Sequence, residues 1–174
     1  MEIESDQLLL REWKEEDAWD LVDLAKDMGS GPERGRLVQS LSEGRRIFWE
    51  GMQNTESYTV VLKESEKVMG CIALRDSKNS RLGIGAGEAE LDCWPEQISV
   101  TEAGLALLGH AFSDLGVTTV WFACHEGNEH ARQLQEALGM KYRFSQFVAT
   151  PRVQDAFMED VACVTKEDFF AKRK

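Results

Sequence analysis

The sequence predicts an α/β (α+β) fold, a sandwich built on one central β-sheet. Short apolar runs of strand length are interspersed with amphipathic segments of helical period. The run Thr119–Cys124 is almost entirely apolar, which is typical of a strand covered on both faces. The 174 residues contain no linker or internal repeat and only three prolines, which favours a single domain over residues 1–174.

The first part of the chain predicts one strand and two helices. Leu8–Arg11 has the length and apolar character of a strand. Lys14–Lys26 is predicted to be an amphipathic helix, since its acidic start suits the positive end of the helix dipole. Its apolar positions are Trp19, Val22, Leu24 and Ala25. A loop over Met28–Arg36 and a helix over Leu37–Met52 follow.

The middle of the chain changes to short β-type runs. Strands are predicted at Ser57–Lys63 and Val68–Arg75, with a polar turn between them. The polar, glycine-rich segment Asp76–Gly87 is predicted to be a loop. Glu88–Trp94 alternates strictly between polar and apolar residues, which is the period of a strand.

The second half has a βαβ-like order. Thr101 is predicted to cap a helix over Glu102–Leu115, and Asn128 to cap a helix over Glu129–Leu138 after the strand Thr119–Cys124. The buried stripe of the first helix is predicted to be Ala103, Leu107, Leu108, Ala111 and Leu115. The closing elements are predicted to be strands Met140–Val148 and Phe157–Thr165 and a C-terminal helical turn or tail.

Composition excludes several classes of function. The chain has 20 basic and 31 acidic residues, a net charge of −11, which argues against non-specific binding to nucleic acid or to anionic lipid. No apolar run approaches the ~18 residues of a membrane span, and the acidic N-terminus is unlike a signal peptide. We therefore expect a cytoplasmic protein with no nucleic-acid or membrane partner. Its four cysteines are expected to be reduced, buried thiols, and no metal site is expected, because neither cysteines nor histidines have ligand spacing.

Three segments in this order resemble the GNAT superfamily of acetyl-CoA-dependent N-acetyltransferases. They are LLLREWKEEDAWDLVDLA, VMGCIAL and TEAGLALLGHAFSDLGVTTVWFACHEGNEHARQLQEALGM. Within the superfamily they are most similar to the ribosomal-protein N-terminal alanine and serine acetyltransferases (RimJ/RimL-like). The resemblance implies a three-layer fold with a mixed sheet, helices on both faces and a parallel strand pair that is splayed for the cofactor.

The resemblance also implies a binding site for acetyl-CoA. The cofactor is expected between the strands Glu88–Trp94 and Thr119–Cys124, with its pyrophosphate at the start of the following helix. A helix N-terminus offers unpaired N–H donors and the positive end of the dipole. The residues implied to contact acetyl-CoA are Asp92, Cys93, Trp94, Ile98, Ser99, Val100, Thr101 and Asn128. Asn128 is expected to act mainly as a helix cap, and both roles are compatible.

For catalysis, the resemblance implies that Glu90 is the general base that removes a proton from the amine acceptor. The alternation of Glu90 with other acidic residues also allows an outward-facing strand residue without a catalytic role. The family's general acid is a Ser or Tyr, but Ala131 and Gln135 occupy the two corresponding positions. Tyr142 is the predicted substitute, with Ser99 as another nearby hydroxyl.

The segment before the helix departs from the glycine-rich phosphate loop of the family. Ile98 and Val100 stand where glycines are expected, and Glu96 adds an unfavourable charge. Two hypotheses therefore remain: an N-acetyltransferase acting on a protein N-terminus or a small amine, or a catalytically degenerate GNAT-fold protein that binds acyl-CoA or a protein partner. A homodimer is compatible with either.

Overall fold

The computed structural model of the chain describes residues 2–27, 56–149 and 156–173. The predicted loop Met28–Arg36 and helix Leu37–Met52 lie outside these ranges. The described helices are α1 (Asp17–Asp27), α2 (Thr101–Ser113), α3 (Glu129–Ala137) and α4 (Lys166–Ala171). Among the described residues, no helix is both long and apolar enough to cross a bilayer.

The described strands form one open, eight-stranded mixed sheet. They are β1 (Ile3–Glu4), β2 (Leu8–Arg11), β3 (Glu56–Leu62), β4 (Lys67–Arg75), β5 (Glu88–Trp94), β6 (Thr119–His125), β7 (Lys141–Val148) and β8 (Phe157–Thr165). Their spatial order is β1-β2-β3-β4-β5-β6-β8-β7. Only β5 and β6 run parallel among these neighbours. The predicted mixed-sheet α/β fold is confirmed, and β1 is an addition to it.

Apolar side chains pack on both faces of the sheet. On one face, Leu107 and Leu108 of α2 join strand residues such as Leu91 in the main core. On the other face, Leu21 of α1 packs against residues of β3 and β4, including Cys71. The two faces follow from the alternation of side chains along each strand. Helices therefore cover both faces. All four cysteines are buried thiols outside any disulfide.

Two apolar residues lie outside the stripes predicted for them. Trp19 is 56% exposed, because α1 turns Ala18 and Leu21 toward the sheet and leaves Trp19 on its solvent side. Leu115 is exposed because α2 ends at Ser113, two residues earlier. In both cases the helical period was correct, and the assigned face or end was wrong.

Asp17 fixes the start of α1 to the sheet. Its carboxylate accepts two hydrogen bonds from the Arg11 guanidinium (2.9 Å each), one from the Lys14 backbone N–H and one from the Thr59 hydroxyl. Burial of Asp17 alone opposes ionisation, but these donors outweigh it and hold the pKa of its carboxyl below the ordinary value of 3.8.

Asp17→Asn is expected to destabilise the fold by about 2–3 kcal/mol at pH 7, since it removes charge-assisted hydrogen bonds from a buried site. A lowered folded-state pKa stabilises the fold above the unfolded value and loses that effect as pH falls through the folded value. Thermal unfolding of both proteins at pH 7 and near pH 3 tests this. The difference in melting temperature should shrink at the lower pH, and a constant difference would contradict the assignment.

Candidate active site

The parallel strands β5 and β6 separate along their length. Their registered pairs are Glu88 with Thr119, Ala89 with Val120 and Glu90 with Trp121, and the pairing ends there. The remaining residues of both strands, up to Trp94 and His125, are not registered with each other, and we call the region between them the opening. The predicted splayed pair is present.

Helix α2 begins next to this opening without a side-chain cap. A cis peptide bond joins Trp94 to Pro95, and a 3₁₀ turn over Ile98–Val100 leads directly into α2. Val100, and not Thr101, occupies the N-cap position, so the prediction that Thr101 caps the helix is wrong. Threonine was favoured because its hydroxyl can accept from a first-turn N–H, but the 3₁₀ turn starts the helix earlier. The Thr101 hydroxyl is buried, and no described residue bonds to it.

The connection after β5 lies close against β4 at Gly70. A Cβ atom at this position would stand 2.3 Å from the Trp94 carbonyl oxygen and 2.9 Å from Pro95 Cδ. Gly70 also has φ +153°, which L side chains rarely adopt. The glycine of VMGCIAL therefore sets how closely the connection to α2 approaches the sheet.

The side chains of this connection point in different directions. Val100 is 1% exposed and packs in the main core, away from the surface at the start of α2. Ser99 is exposed, Glu96 is buried, and the side chain of Ile98 lies outside the described part of the chain. The Val100 side chain thus does not fill the space that a phosphate would need.

Asn128 caps α3, as predicted. Its side-chain oxygen accepts from the Ala131 N–H at 3.2 Å. Its amide nitrogen is buried, and no described residue bonds to it. Within the described ranges, Thr101 and Asn128 therefore each leave one buried polar atom without a partner, at the start of the two helices that follow β5 and β6.

Glu90 lies where β5 and β6 separate, and it is only 7% exposed. It is therefore not a solvent-facing strand residue. Burial is the largest influence on its carboxyl and raises its pKa above 4.5, while a hydrogen bond from the Ser80 hydroxyl (2.8 Å) opposes this shift. A carboxylate with a raised pKa is suited to accepting a proton near neutral pH.

Asp92 and Glu159 lie on the same sheet face as Glu90, and both form ion pairs. Asp92 pairs with Arg75 at 2.7 Å. Glu159 of β8 is 1% exposed and accepts from both terminal nitrogens of Arg81, at 2.5 and 2.6 Å. The hydrogen bond to Glu90, in contrast, comes from a neutral hydroxyl, that of Ser80. This environment separates Glu90 from its neighbours as the candidate proton acceptor.

The other predicted site residues occupy varied positions. The Cys93 side chain lies in the main core, and Trp94 packs beside the smaller core of α1, so both could meet a ligand in the opening mainly through their backbone. Tyr142 is 64% exposed and bonds to Ser145 at 2.8 Å. It pairs with Ala162, which faces away from Glu90, so the structure does not bring the predicted acid to the predicted base.

Sequence reasoning missed Ser80, Arg81 and Glu159. The first two lie in a predicted loop, and Glu159 lies in a strand without a distinguishing motif. The one available signal was the pair of acidic residues, Glu159 and Asp160, within an otherwise largely apolar strand. Which loop residue reaches it depends on the tertiary fold.

The comparisons with known proteins agree with this geometry. The family model for the acetyltransferase (GNAT) domain matches residues 7–141, most of the chain. The chain belongs to the GNAT acetyltransferase family. No curated protein sequence matches it.

Solved structures of low sequence identity share the GNAT fold of this chain. A GNAT-family acetyltransferase from Bacillus anthracis is 18% identical, with a TM-score of 0.76 and coverage of 96% of this chain and 99% of that one. A Vibrio cholerae protein provisionally assigned as a ribosomal-protein-serine acetyltransferase is 18% identical, with a TM-score of 0.70 and coverage of 95% and 97%. AAC(6')-Ib, in complex with parmomycin and acetyl-CoA, is 18% identical, with a TM-score of 0.75 and coverage of 97% and 99%. At this identity the likeness establishes the fold alone.

Proposed function

We propose that this GNAT protein transfers an acetyl group from acetyl-CoA to a primary amine, on a protein N-terminus or a small molecule. The observation that carries the proposal is the placement of Glu90, a buried carboxylate with a raised pKa, at the point where the parallel strands separate. Acylation of an amine needs a proton acceptor next to the site where the acyl donor binds, and this placement of Glu90 provides one.

The residues around the opening fit acetyl-CoA. The uncapped start of α2 offers N–H donors to a pyrophosphate, and Val100 is turned into the core. The Thr101 hydroxyl and the amide nitrogen of Asn128, to which no described residue bonds, add two polar groups at the adjoining helix starts. Glu96, an acidic residue buried in the same connection, does not remove these backbone donors.

The chain's own groups account for the proton transfers. Bound acetyl-CoA supplies the thioester carbonyl. A free amine is protonated at neutral pH, so Glu90 accepts the proton that must leave before nitrogen can attack. A backbone N–H of β5 polarises the carbonyl, as the family resemblance implies. Since the CoA thiol is a good leaving group, water can return the proton to sulfur.

Four finer assignments belong to the same proposal. The quoted motifs and the similar Vibrio cholerae fold support a RimJ/RimL-like acceptor, the N-terminus of a ribosomal protein. The acidic net charge favours a cationic acceptor by long-range attraction. The composition supports a cytoplasmic location, and a homodimer is compatible with the fold.

One observation favours the degenerate alternative. Gln135 occupies the position of the tyrosine that serves as general acid in the family. Its amide donates to the Phe122 carbonyl at 2.9 Å, which is a structural contact between α3 and β6. Under the degenerate alternative, the protein would bind acyl-CoA without turnover.

An assay of acetyl transfer separates the two functions. The purified protein is incubated with acetyl-CoA and either peptides with free N-termini or small polyamines, and released CoA thiol is measured. Matched peptides with a blocked N-terminus are the control. Turnover that requires the free amine supports the transferase. Binding of acetyl-CoA with no amine-dependent thiol release supports the degenerate alternative.

A further inference from the structure

The segment between β4 and β5 contacts both sides of the opening. On one side, the Ser80 hydroxyl donates to Oε2 of Glu90 on β5 at 2.8 Å. On the other, the Arg81 guanidinium makes two parallel bonds to Glu159 on β8, the strand beside β6. Two consecutive residues thus connect the two halves of the sheet at the level of the site.

The contact with Glu159 is a strong anchor. Glu159 is almost fully buried, and Gln146 of β7 donates a third hydrogen bond to it at 2.7 Å. A bidentate Arg–carboxylate pair fixes the position and the plane of the guanidinium, which a single-point contact does not. Breaking such a pair on one side leaves a buried charge without compensation. The position of Arg81 is therefore closely determined.

The Ser80 hydroxyl has a fixed direction. Its oxygen accepts from the Leu82 backbone N–H at 3.0 Å, which leaves its own proton to be donated to Glu90. The preceding turn is also ordered, because Asp76 accepts from the backbone N–H groups of Lys78 and Asn79. A displacement of Arg81 would carry the hydroxyl away from Glu90.

We propose that Ser80 and Arg81 are positioning residues for Glu90: the Arg81–Glu159 pair anchors the segment across the opening and so holds the Ser80 hydroxyl on the Glu90 carboxylate. The inference rests on the proposed function of Glu90 as the base. It assigns to the β4–β5 connection a role in fixing the orientation and protonation of the base, and not only in joining two strands.

The charges that act on Glu90 are few. Asp92 on β5 raises its pKa, while Arg81 on the β4–β5 segment and Arg75 on β4 lower it. On β6, the residue that faces Glu90 is the uncharged Trp121. Replacing Arg81 and Glu159 together by glutamine leaves neither charge buried without its partner, but it also removes the direct attraction of Arg81, which lowers the pKa of Glu90. The part of the shift that acts through Ser80 is the part that disappears when Ser80 is already alanine.

A double-mutant cycle tests the proposal in the full chain. Its variants are Ser80→Ala, the paired change Arg81→Gln with Glu159→Gln, and all three changes together, with Arg132→Gln on the exposed side of α3 as the control. Glu90 is titrated by carbon NMR of its carboxyl group, with Glu90→Gln used to assign the signal. The pH profile of kcat/KM is recorded in parallel. The NMR titration does not depend on turnover, so an inactive wild type would refute the proposed function without deciding this inference.

We expect Ser80→Ala to raise the titration midpoint of Glu90 by about one unit, the loss of a hydrogen bond to a charged group. The paired change should also raise it, and the shift of the triple variant should be clearly smaller than the sum of the two, because both changes act through one contact. The acidic limb of the activity profile should move with it. A midpoint at the wild-type position in the paired variant, or shifts that simply add, would overturn the proposal. Arg132→Gln should leave the midpoint unchanged.

Discussion

Glu90→Gln is expected to lower kcat/KM for acetyl transfer by about 10²- to 10⁴-fold, the usual contribution of a general base. The side chain keeps its size and a hydrogen-bonding oxygen, but it can no longer accept the amine proton. Acetyl-CoA affinity should change little, because the binding groups proposed at the start of α2 are untouched. Steady-state kinetics with a calorimetric titration separate these two effects.

The pH dependence of the wild-type enzyme follows from the same residue. Only the ionised carboxylate can accept a proton, so activity falls as pH falls through the pKa of Glu90. Because burial raises that pKa, the acidic limb should lie above 4.5. Glu90→Gln should lack this limb in its residual activity.

Glu88→Gln is the matched control, since Glu88 lies two residues earlier on the same face of β5, within the paired part of the strand. It should retain most of the activity. Stability offers a second check: a carboxyl with a raised pKa opposes folding at pH values above its ordinary value, so Glu90→Gln should not lower the melting temperature at pH 7. Wild-type kcat/KM in Glu90→Gln would refute the assignment of the base.

Gly70→Ala is expected to destabilise the protein by about 2–4 kcal/mol, which corresponds to roughly 5–15 °C in melting temperature. The new methyl group would stand 2.3 Å from the Trp94 carbonyl oxygen, so backbone must move, and the φ of +153° is strained for alanine. Because the displaced segment leads directly to α2, acetyl-CoA affinity should fall as well. Thermal unfolding and calorimetry measure the two effects.

Gly109→Ala provides the comparison within the same protein. Gly109 lies in α2, and a methyl group there would meet no described atom within 4 Å beyond its own helix backbone and chain neighbours. Alanine at this position should stabilise the helix by about 0.5–1 kcal/mol. Equal melting temperatures for Gly70→Ala and the wild type would show that the connection after β5 does not depend on this close approach.

The strands were predictable because their signals are local. The alternation of Glu88–Trp94 sets β5 without reference to the rest of the chain, and the bounds of β2 and β8 also agree with the prediction. Asn128 was likewise predictable, because a cap bonds to an N–H three residues away. The prediction that Thr101 caps α2 was wrong, because a 3₁₀ turn before a helix leaves a weaker signal in the sequence than a capping residue does.

The environment of the candidate site was less predictable, because it depends on contacts between distant residues. Glu90 could be named from the family resemblance, but its burial results from the parallel packing of β6 and from the segment that folds over it. The Arg81–Glu159 pair joins residues 78 positions apart. Tyr142 shows that closeness in sequence does not ensure closeness in space. It follows α3 directly, yet the pairing of β7 with β8 places it on the face of the sheet opposite to Glu90.

Calorimetric titration of the wild-type protein with acetyl-CoA tests the central claim, that the opening between β5 and β6 is an acetyl-CoA site, most directly. S-acetyl-N-acetylcysteamine, which has the thioester without the pyrophosphate, is the control ligand. We predict micromolar binding of acetyl-CoA, far weaker binding of the control, and a stabilisation of about 2.7 kcal/mol at one hundred times Kd. Absence of heat and of any rise in melting temperature at millimolar acetyl-CoA would contradict the account.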